Sequence, residues 1–307
     1  MKGLVIVNPH ARSGLATIEH AAWQETIANR LRPLMDVIDW SETQHPNHAV
    51  ALAQQAAEAG YGYILAAGGD GTISEVLNGI MSSSKRPVFG VLPWGSLNDF
   101  YRALSLAEST AKPDPQTLPL DIGRATFDGV ERYAALSISI GLASWAEYQY
   151  QLASRNLGRV FGLPPGIVSA LVSYRFPREI SLSIDGDSPR QVPMLSLAIN
   201  NSPTVAGGSR LTPDAAVDDD HFDLCLIPPM SLLRLGELLI GSYVNREVDR
   251  RMVMIRRASQ ITVMAEKPLP VHVDGEMIPD VGPLAQSISI SVLPGELRIL
   301  RPSLLQD

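Results

Sequence analysis

Apolar positions along the first third of the chain recur in two alternating rhythms. Short apolar runs at Leu4 to Val7, Leu34 to Trp40, Tyr61 to Ala67 and Pro87 to Leu92 read as strands. Between them Thr17 to Leu31 and Asn47 to Ala59 read as helices, and Ile73, Val76, Leu77 and Ile80 recur at the spacing of one helix face. This alternation over residues 1 to 104 predicts a parallel sheet covered by helices on both faces. Ser105 to Pro119, with three prolines and little periodicity, reads as a linker. Beyond it the rhythm becomes β-rich, with Asp128-Gly129 and Asp185-Gly186 placed as hairpin turns, so a mainly antiparallel second domain is expected. Helices should interrupt it near Ala143 to Asn156, Ile167 to Tyr174 and Leu232 to Val244.

Two glycine turns carry the candidate chemistry. Gly68-Gly69-Asp70-Gly71-Thr72 leaves one strand and enters a helical pattern, with Thr72 as the expected N-cap and Glu75 completing a capping box. Backbone N–H groups at such a helix end attract anions, above all phosphate. Glycines in that place also serve simply as a tight strand-to-helix connection. Asp70 tips the balance, because a carboxylate there would repel phosphate unless it bound Mg²⁺ or accepted the proton of a substrate hydroxyl. The second turn, Pro93-Trp94-Gly95-Ser96-Leu97-Asn98-Asp99-Phe100, adds the hydroxyl of Ser96 and the carboxylate of Asp99, although Asn98 and Asp99 are equally ordinary helix caps. In a parallel sheet both loops would lie at the carboxyl ends of strands, where ligands bind.

The chain's 307 residues and 45% hydrophobic content suit two modest domains. No apolar run approaches the roughly 20 residues of a membrane span, and Leu4 to Val7 is too short for a signal-peptide core. One cysteine, Cys225, makes no internal disulfide, and no Cys/His spacing suggests zinc, so a cytoplasmic setting is expected. A net charge of −7 argues against a nucleic-acid partner. Arg246, Arg250, Arg251, Arg256 and Arg257 concentrate positive charge locally, which reads first as a solvated face and second as a site for headgroups or phosphate. His10, His45, His48 and His272 read as surface or packing residues.

Taken in order, Asn8-Pro9, the Gly-Gly-Asp-Gly-Thr loop, the Pro-x-Gly-x-x-Asn-Asp-Phe segment, Asn201-Ser202-Pro203 with Pro213-Asp214-Ala215 and Asp219, and Asp274-Gly275-Glu276 resemble the diacylglycerol kinase catalytic family. That family includes bacterial lipid kinases and sphingosine kinases, with NAD kinases as more distant relatives. The resemblance implies an α/β N-terminal domain, NAD-kinase-like with a parallel sheet, over residues 1–119, to which residues 295–307 return. It implies a mainly antiparallel β-sandwich domain for the lipid substrate over 120–294. The implied reaction is phosphoryl transfer from ATP with Mg²⁺ to a hydroxyl of diacylglycerol, a related glycerolipid or a long-chain base, with peripheral association at a membrane surface and homodimerisation left open.

By the same resemblance Asn8, Thr43, Gly68, Gly69, Asp70, Gly71, Thr72, Ser74 and Ser96 would contact the nucleotide. Asp70 and Asp99 would orient Mg²⁺ or the acceptor. Glu276, after the strand Leu269 to Val273, would be the catalytic carboxylate, with Asp70 ranked second as the base. A structural Mg²⁺ would take the carboxylate of Asp219 and the backbone carbonyls of Ala216 and His221, with Asp220 standing where the family usually has glycine. Ser96 for threonine keeps the hydroxyl, and Trp94 for a smaller residue is expected to pack on the linker. Leu157 to Val172, with Arg155, Arg159 and Arg175, is the candidate acyl-chain region, for which a core helix is an equal reading. The competing functions are an NAD kinase or small-alcohol kinase, and a nonenzymatic nucleotide-responsive lipid-binding protein.

Overall fold

The computed structural model describes residues 1–11, 17–94, 98–108, 114–157, 178–244, 248–278 and 284–305. The chain forms two compact units. The first takes Met1–Ile122, Val217–Asp219 and Leu293–Asp307, and the second takes Gly123–Ala216 and Asp220–Val292.

In the first unit strands and helices alternate: β1 (Lys2–Val7), α1 (Thr17–Leu31), β2 (Val37–Glu42), α2 (His48–Glu58), β3 (Tyr63–Gly68), α3 (Asp70–Met81), β4 (Val88–Pro93) and α4 (Asp99–Glu108). The sheet runs β2-β1-β3-β4 with every neighbour parallel, Val7 standing opposite both Glu42 and Ala67. Every residue of β3 is buried, as a strand with helices on both faces must be. Val5, Val7, Leu65 and Leu92 pack with Ile27 and Leu31 of α1 on one side. Chain order reverses between β1 and β3, so the switch point of the sheet lies at the carboxyl ends of these two strands.

Helices α2 and α3 approach closely through small residues. A Cβ on Gly79 would stand 2.3 Å from the carbonyl oxygen of Val50 and 2.8 Å from the Ala53 methyl, and a backbone atom cannot swing away. Gly79→Ala is therefore expected to cost about 1–3 kcal/mol or more as the two helices are forced apart. Chemical denaturation would measure it, and an unchanged midpoint would show that the helices slide freely.

The expected linker is shorter than its composition suggests. Helix α4 continues to Glu108 and β5 (Thr117–Phe127) begins before Pro119, which serves inside the strand. Asp114 organises this stretch by accepting from the N–H groups of Gln116 and Thr117, the Thr117 hydroxyl and the Arg298 guanidinium. Together these bonds hold its carboxyl well below the usual carboxylate range, the backbone N–H of Gln116 contributing most. Arg301 donates from Nε to the Asp114 carbonyl at 2.7 Å, and Ile299 pairs in parallel with Phe89, so the C-terminal strand extends the sheet beside β4.

The second unit continues with β6 (Val130–Ala134), β7 (Ser137–Gly141), α5 (Leu142–Leu157), β8 (Arg178–Ile184), β9 (Arg190–Met194), β10 (Ser196–Asn200), β11 (Phe222–Ile227), α6 (Leu232–Tyr243), β12 (Met254–Ala258), β13 (Gln260–Val273) and β14 (Leu284–Leu300), whose residues from Leu293 on belong to the first unit. Its described pairings are antiparallel. Strand β13 turns the corner of a sandwich. Before a register shift between Met264 and Leu269 it lies between β8 and β14, and after it Val271 to Val273 pair with β7. Leu182, Val263 and Ile288 from the first part share one core with Ile138, Leu197, Leu224 and Val271 from the second. Asp128-Gly129, Asp185-Gly186 and Asp274-Gly275 all adopt left-handed pairs, with aspartate φ of 48°, 49° and 49°, as two-residue hairpins of the right twist require.

Candidate active site

The carboxyl ends of β1 and β3 gather several of the residues singled out by sequence. Asn8 donates its N–H to the Ala67 carbonyl at 2.9 Å, while its Oδ1 accepts from the His10 N–H at 3.0 Å, forming a tight turn off β1. Its Nδ2 donates to Thr72 Oγ1 at 2.9 Å. Thr43 is brought beside it by a bond from its N–H to the Val7 carbonyl at 2.8 Å. On the other side Trp94 donates its N–H to the Gly68 carbonyl at 2.8 Å, which ties the second loop to the first.

The capping expectation for Thr72 and Glu75 is corrected. Helix α3 starts at Asp70 with Gly69 as its N-cap, and no side chain caps it. The turn is so tight that a Cβ on Gly68 would stand 2.6 Å from Thr72 Oγ1, which places Thr72 inside the first turn, facing Asn8. Glu75 instead reaches a different helix, accepting from the N–H groups of Asn47 at 2.9 Å and Ala49 at 3.2 Å at the start of α2. With glycine as its N-cap, α3 has no cap side chain of its own, and a helix N-terminus of this kind favours an anion such as phosphate.

Asp70 Oδ1 accepts from the Phe100 N–H at 3.2 Å, so its carboxylate sits against the first turn of α4, the turn that carries Asp99. Asp99 meets Arg102 at 3.4 Å. Asp70 and Asp99 thus head α3 and α4, with the Asp70 carboxylate against the turn that Asp99 opens, and both are oxygen donors of the kind a divalent cation takes. Ser74 lies half-buried on α3, whereas Ser96 lies outside the described residues. Trp94 stacks on Trp23 of α1, with ring centroids 4.2 Å apart.

In the second unit Glu276 follows the Asp274-Gly275 turn, its N–H and carbonyl both paired with Val273. Its side chain is exposed while that of Asp274 is buried. In sequence Asp274 stands only as the first residue of the Asp274-Gly275-Glu276 motif. In the structure its carboxylate accepts from three successive N–H groups, those of Ala135, Leu136 and Ser137, each at 2.8 Å. Asp121 was also passed over, a buried acid whose Oδ1 accepts from the Gly295 N–H at 2.7 Å. Its signal in the sequence is an aspartate set among the apolar residues Leu118, Leu120 and Ile122.

Asn201 likewise has structural work, donating its N–H to the Leu136 carbonyl at 2.7 Å and Nδ2 to the Ala135 carbonyl at 2.9 Å. His272 is half-buried, and desolvation pushes its imidazole down to about 4, so it stays neutral through the physiological range. Burial pushes the Cys225 thiol up to about 12, which leaves it inert.

Of the residues considered for a structural cation, Asp219 belongs to the first unit and Ala216 and His221 to the second. Asp220 adopts φ 66°, so the aspartate takes the left-handed conformation that the family's glycine would. Arg250 and Arg251 pair with Asp214 at 3.3 Å and Asp249 at 3.7 Å, as a solvated face does. Arg246, Arg159, Arg175 and residues 158–172 lie outside the described residues, as does the side chain of Arg155.

Burial raises the Glu147 carboxyl on α5, against the lowering effect of its bond from Gln151. A carboxyl with a folded pKa above its unfolded one favours the fold fully at low pH and loses that contribution as pH rises through the folded value. Glu147→Gln keeps an acceptor for Gln151 and removes the buried charge. It is expected to raise the melting temperature at neutral pH, with the gain vanishing under acid, and a gain independent of pH would contradict the burial argument.

Comparison with known proteins agrees with this fold. Residues 2–125 match the diacylglycerol kinase catalytic domain, and residues 137–301 match the YegS C-terminal NAD kinase beta sandwich-like domain. A diacylglycerol kinase of Staphylococcus haemolyticus is 29% identical over 242 residues, covering 76% of this chain and 71% of its own. A probable lipid kinase YegS-like protein of Chromohalobacter salexigens is 28% identical over 269 residues, covering 82% and 80%. A solved diacylglycerol kinase of Bacillus anthracis shares the fold, with a TM-score of 0.71 at 18% identity over 99% of this chain and 98% of that one. The chain belongs to the diacylglycerol kinase catalytic family and is a lipid kinase. Among the described residues no helix is long and apolar enough to cross a membrane.

Proposed function

We propose that this lipid kinase transfers the γ-phosphoryl group of ATP to a hydroxyl of diacylglycerol or a closely related lipid drawn from a membrane surface. The observation that carries the reading is the meeting, at the switch point of a parallel sheet, of an α3 N-terminus without a side-chain cap and the acids Asp70 and Asp99. Phosphoryl transfer asks little covalent work of a protein and much positioning of charge.

Asn8, Thr43, Gly68, Gly69, Gly71, Thr72 and Ser74, with Ser96 of the second loop, would hold the nucleotide, backbone N–H groups taking the phosphates. Asp70 and Asp99 would hold Mg²⁺, which when bound neutralises charge on the phosphate oxygens. Glu276 takes the proton of the lipid hydroxyl as general base, with Asp70 as the second candidate. A separate Mg²⁺ on Asp219 and the carbonyls of Ala216 and His221 would have the hard oxygen donors that this ion prefers.

The test is transfer from labelled ATP in mixed micelles to diacylglycerol, monoacylglycerol, a long-chain base, NAD and glycerol. Transfer to diacylglycerol or another of the lipids is expected. Transfer to NAD or glycerol alone would overturn the lipid assignment, and ATP binding without transfer to any acceptor would favour a binding protein.

A further inference from the structure

The turn that carries Glu276 is fastened on two sides by groups that do not themselves present to a substrate. A two-residue hairpin is a pivot, and an exposed side chain on it is only as well placed as its backbone. Here the pivot is locked. The buried carboxylate of Asp274 gathers the N–H groups of Ala135, Leu136 and Ser137, each at 2.8 Å, and the Asp274 N–H donates in return to the Ser137 carbonyl at 2.8 Å. Three successive N–H groups converging on one anion form a strong anion-binding concavity, filled here by a side chain of the protein.

The segment that supplies them, between β6 and β7, is held from its carbonyl side by Asn201, through the Leu136 and Ala135 oxygens. On the other side of the turn the Gly275 carbonyl accepts from Gln151 Nε2 of α5 at 3.3 Å, and the same amide donates to Glu147 Oε1 at 3.2 Å. The Asp274 N–H on one side of the turn and the Gly275 carbonyl on the other are thereby tied to separate elements.

We propose that Asp274 and Gln151 are positioning residues that fix the Glu276 carboxylate for proton transfer. This rests on the reading of Glu276 as the catalytic carboxylate. Neither residue meets the substrate, and each acts through the turn's backbone. The distinction matters because a displacement of about 1 Å at a reacting group costs on the order of 100-fold in rate. In Asp274→Asn one oxygen of the clamp becomes an amide that meets an N–H donor, so at least one of three bonds turns repulsive and the turn can shift while the core stays filled.

Asp274→Asn is expected to lower kcat by roughly 10–100-fold with KM for ATP within twofold, and Gln151→Ala to lower kcat by a smaller factor with the same pattern. The decisive measurement is a double-mutant cycle with Glu276→Gln in single-turnover transfer. Once Glu276 has lost its carboxylate, Asp274→Asn should cost nothing further.

A further drop of the same size in the Glu276→Gln background would overturn the proposal, because Asp274 would then act independently. Should Asp274→Asn fail to fold, the cycle is run with Gln151→Ala, and a wild-type kcat in that folded variant would overturn it equally. If Glu276→Gln alone keeps wild-type transfer, the reading of Glu276 has failed. If Glu276→Gln is inactive and folded Asp274→Asn is fully active, only the positioning claim has.

Discussion

Glu276→Gln is expected to lower phosphoryl transfer by about 10²–10⁴-fold, the usual worth of a positioned general base, with ATP affinity and thermal stability near wild type. The substitution is nearly isosteric, and the bonds that hold residue 276 run through its backbone to Val273. An exposed side chain adds little packing, so the fold has no reason to respond. What disappears is the anion that can accept a proton. Single-turnover transfer against pH would check this. Wild type should lose activity on acidification as its base is protonated, whereas the residual activity of the variant should not follow that limb. Full activity in Glu276→Gln would pass the role to Asp70, the second candidate.

Asp70→Asn should be comparably severe, about 10²–10³-fold, but with a different signature. Asn retains an oxygen able to accept from the Phe100 N–H, so the junction between α3 and α4 persists and the melting temperature should hardly move. The lost charge falls on the phosphate side of the reaction, so transfer to every lipid should fall together. The Mg²⁺ concentration giving half-maximal rate should also rise, whereas Glu276→Gln leaves it unchanged. An Asp70→Asn enzyme within threefold of wild type would reduce this acid to a cap for α4, a service that carboxylates often perform at helix starts.

These two acids also show how far local pattern reaches. Both stand in short motifs whose neighbours impose a backbone shape: glycines around Asp70 permit the strand-to-helix turn, and Asp274-Gly275 before Glu276 makes a hairpin. Other residues kept their place but changed their work. Thr72 and Glu75 have the spacing of a capping box, yet Thr72 accepts from Asn8, 64 positions away, and Glu75 caps a helix 28 positions upstream. A capping box follows from spacing within one helix, but a side chain on the inner face of a helix takes whichever donor the neighbouring strand or helix presents. Trp94 found Trp23 in the same way, since the best partner for a large ring is another ring on the adjoining layer.

The parallel α/β unit and the antiparallel unit are both legible along the chain, because strand and helix periodicity, glycine turns and Asp-Gly hairpins depend on neighbours a few residues apart. The sequence also placed Asp70, Asp99 and Glu276 in motifs, since the chemistry of a carboxylate beside glycine is readable in one dimension. It is tertiary packing that leans Asp70 on α4 and makes Asp274 a buried clamp as well as a turn former. It alone decided that a single core joins the two faces of the sandwich around β13. Those outcomes depend on donors and apolar surfaces brought together across long stretches of chain, 139 positions for Ala135 and Asp274, and no local rule carries the identity of so distant a partner.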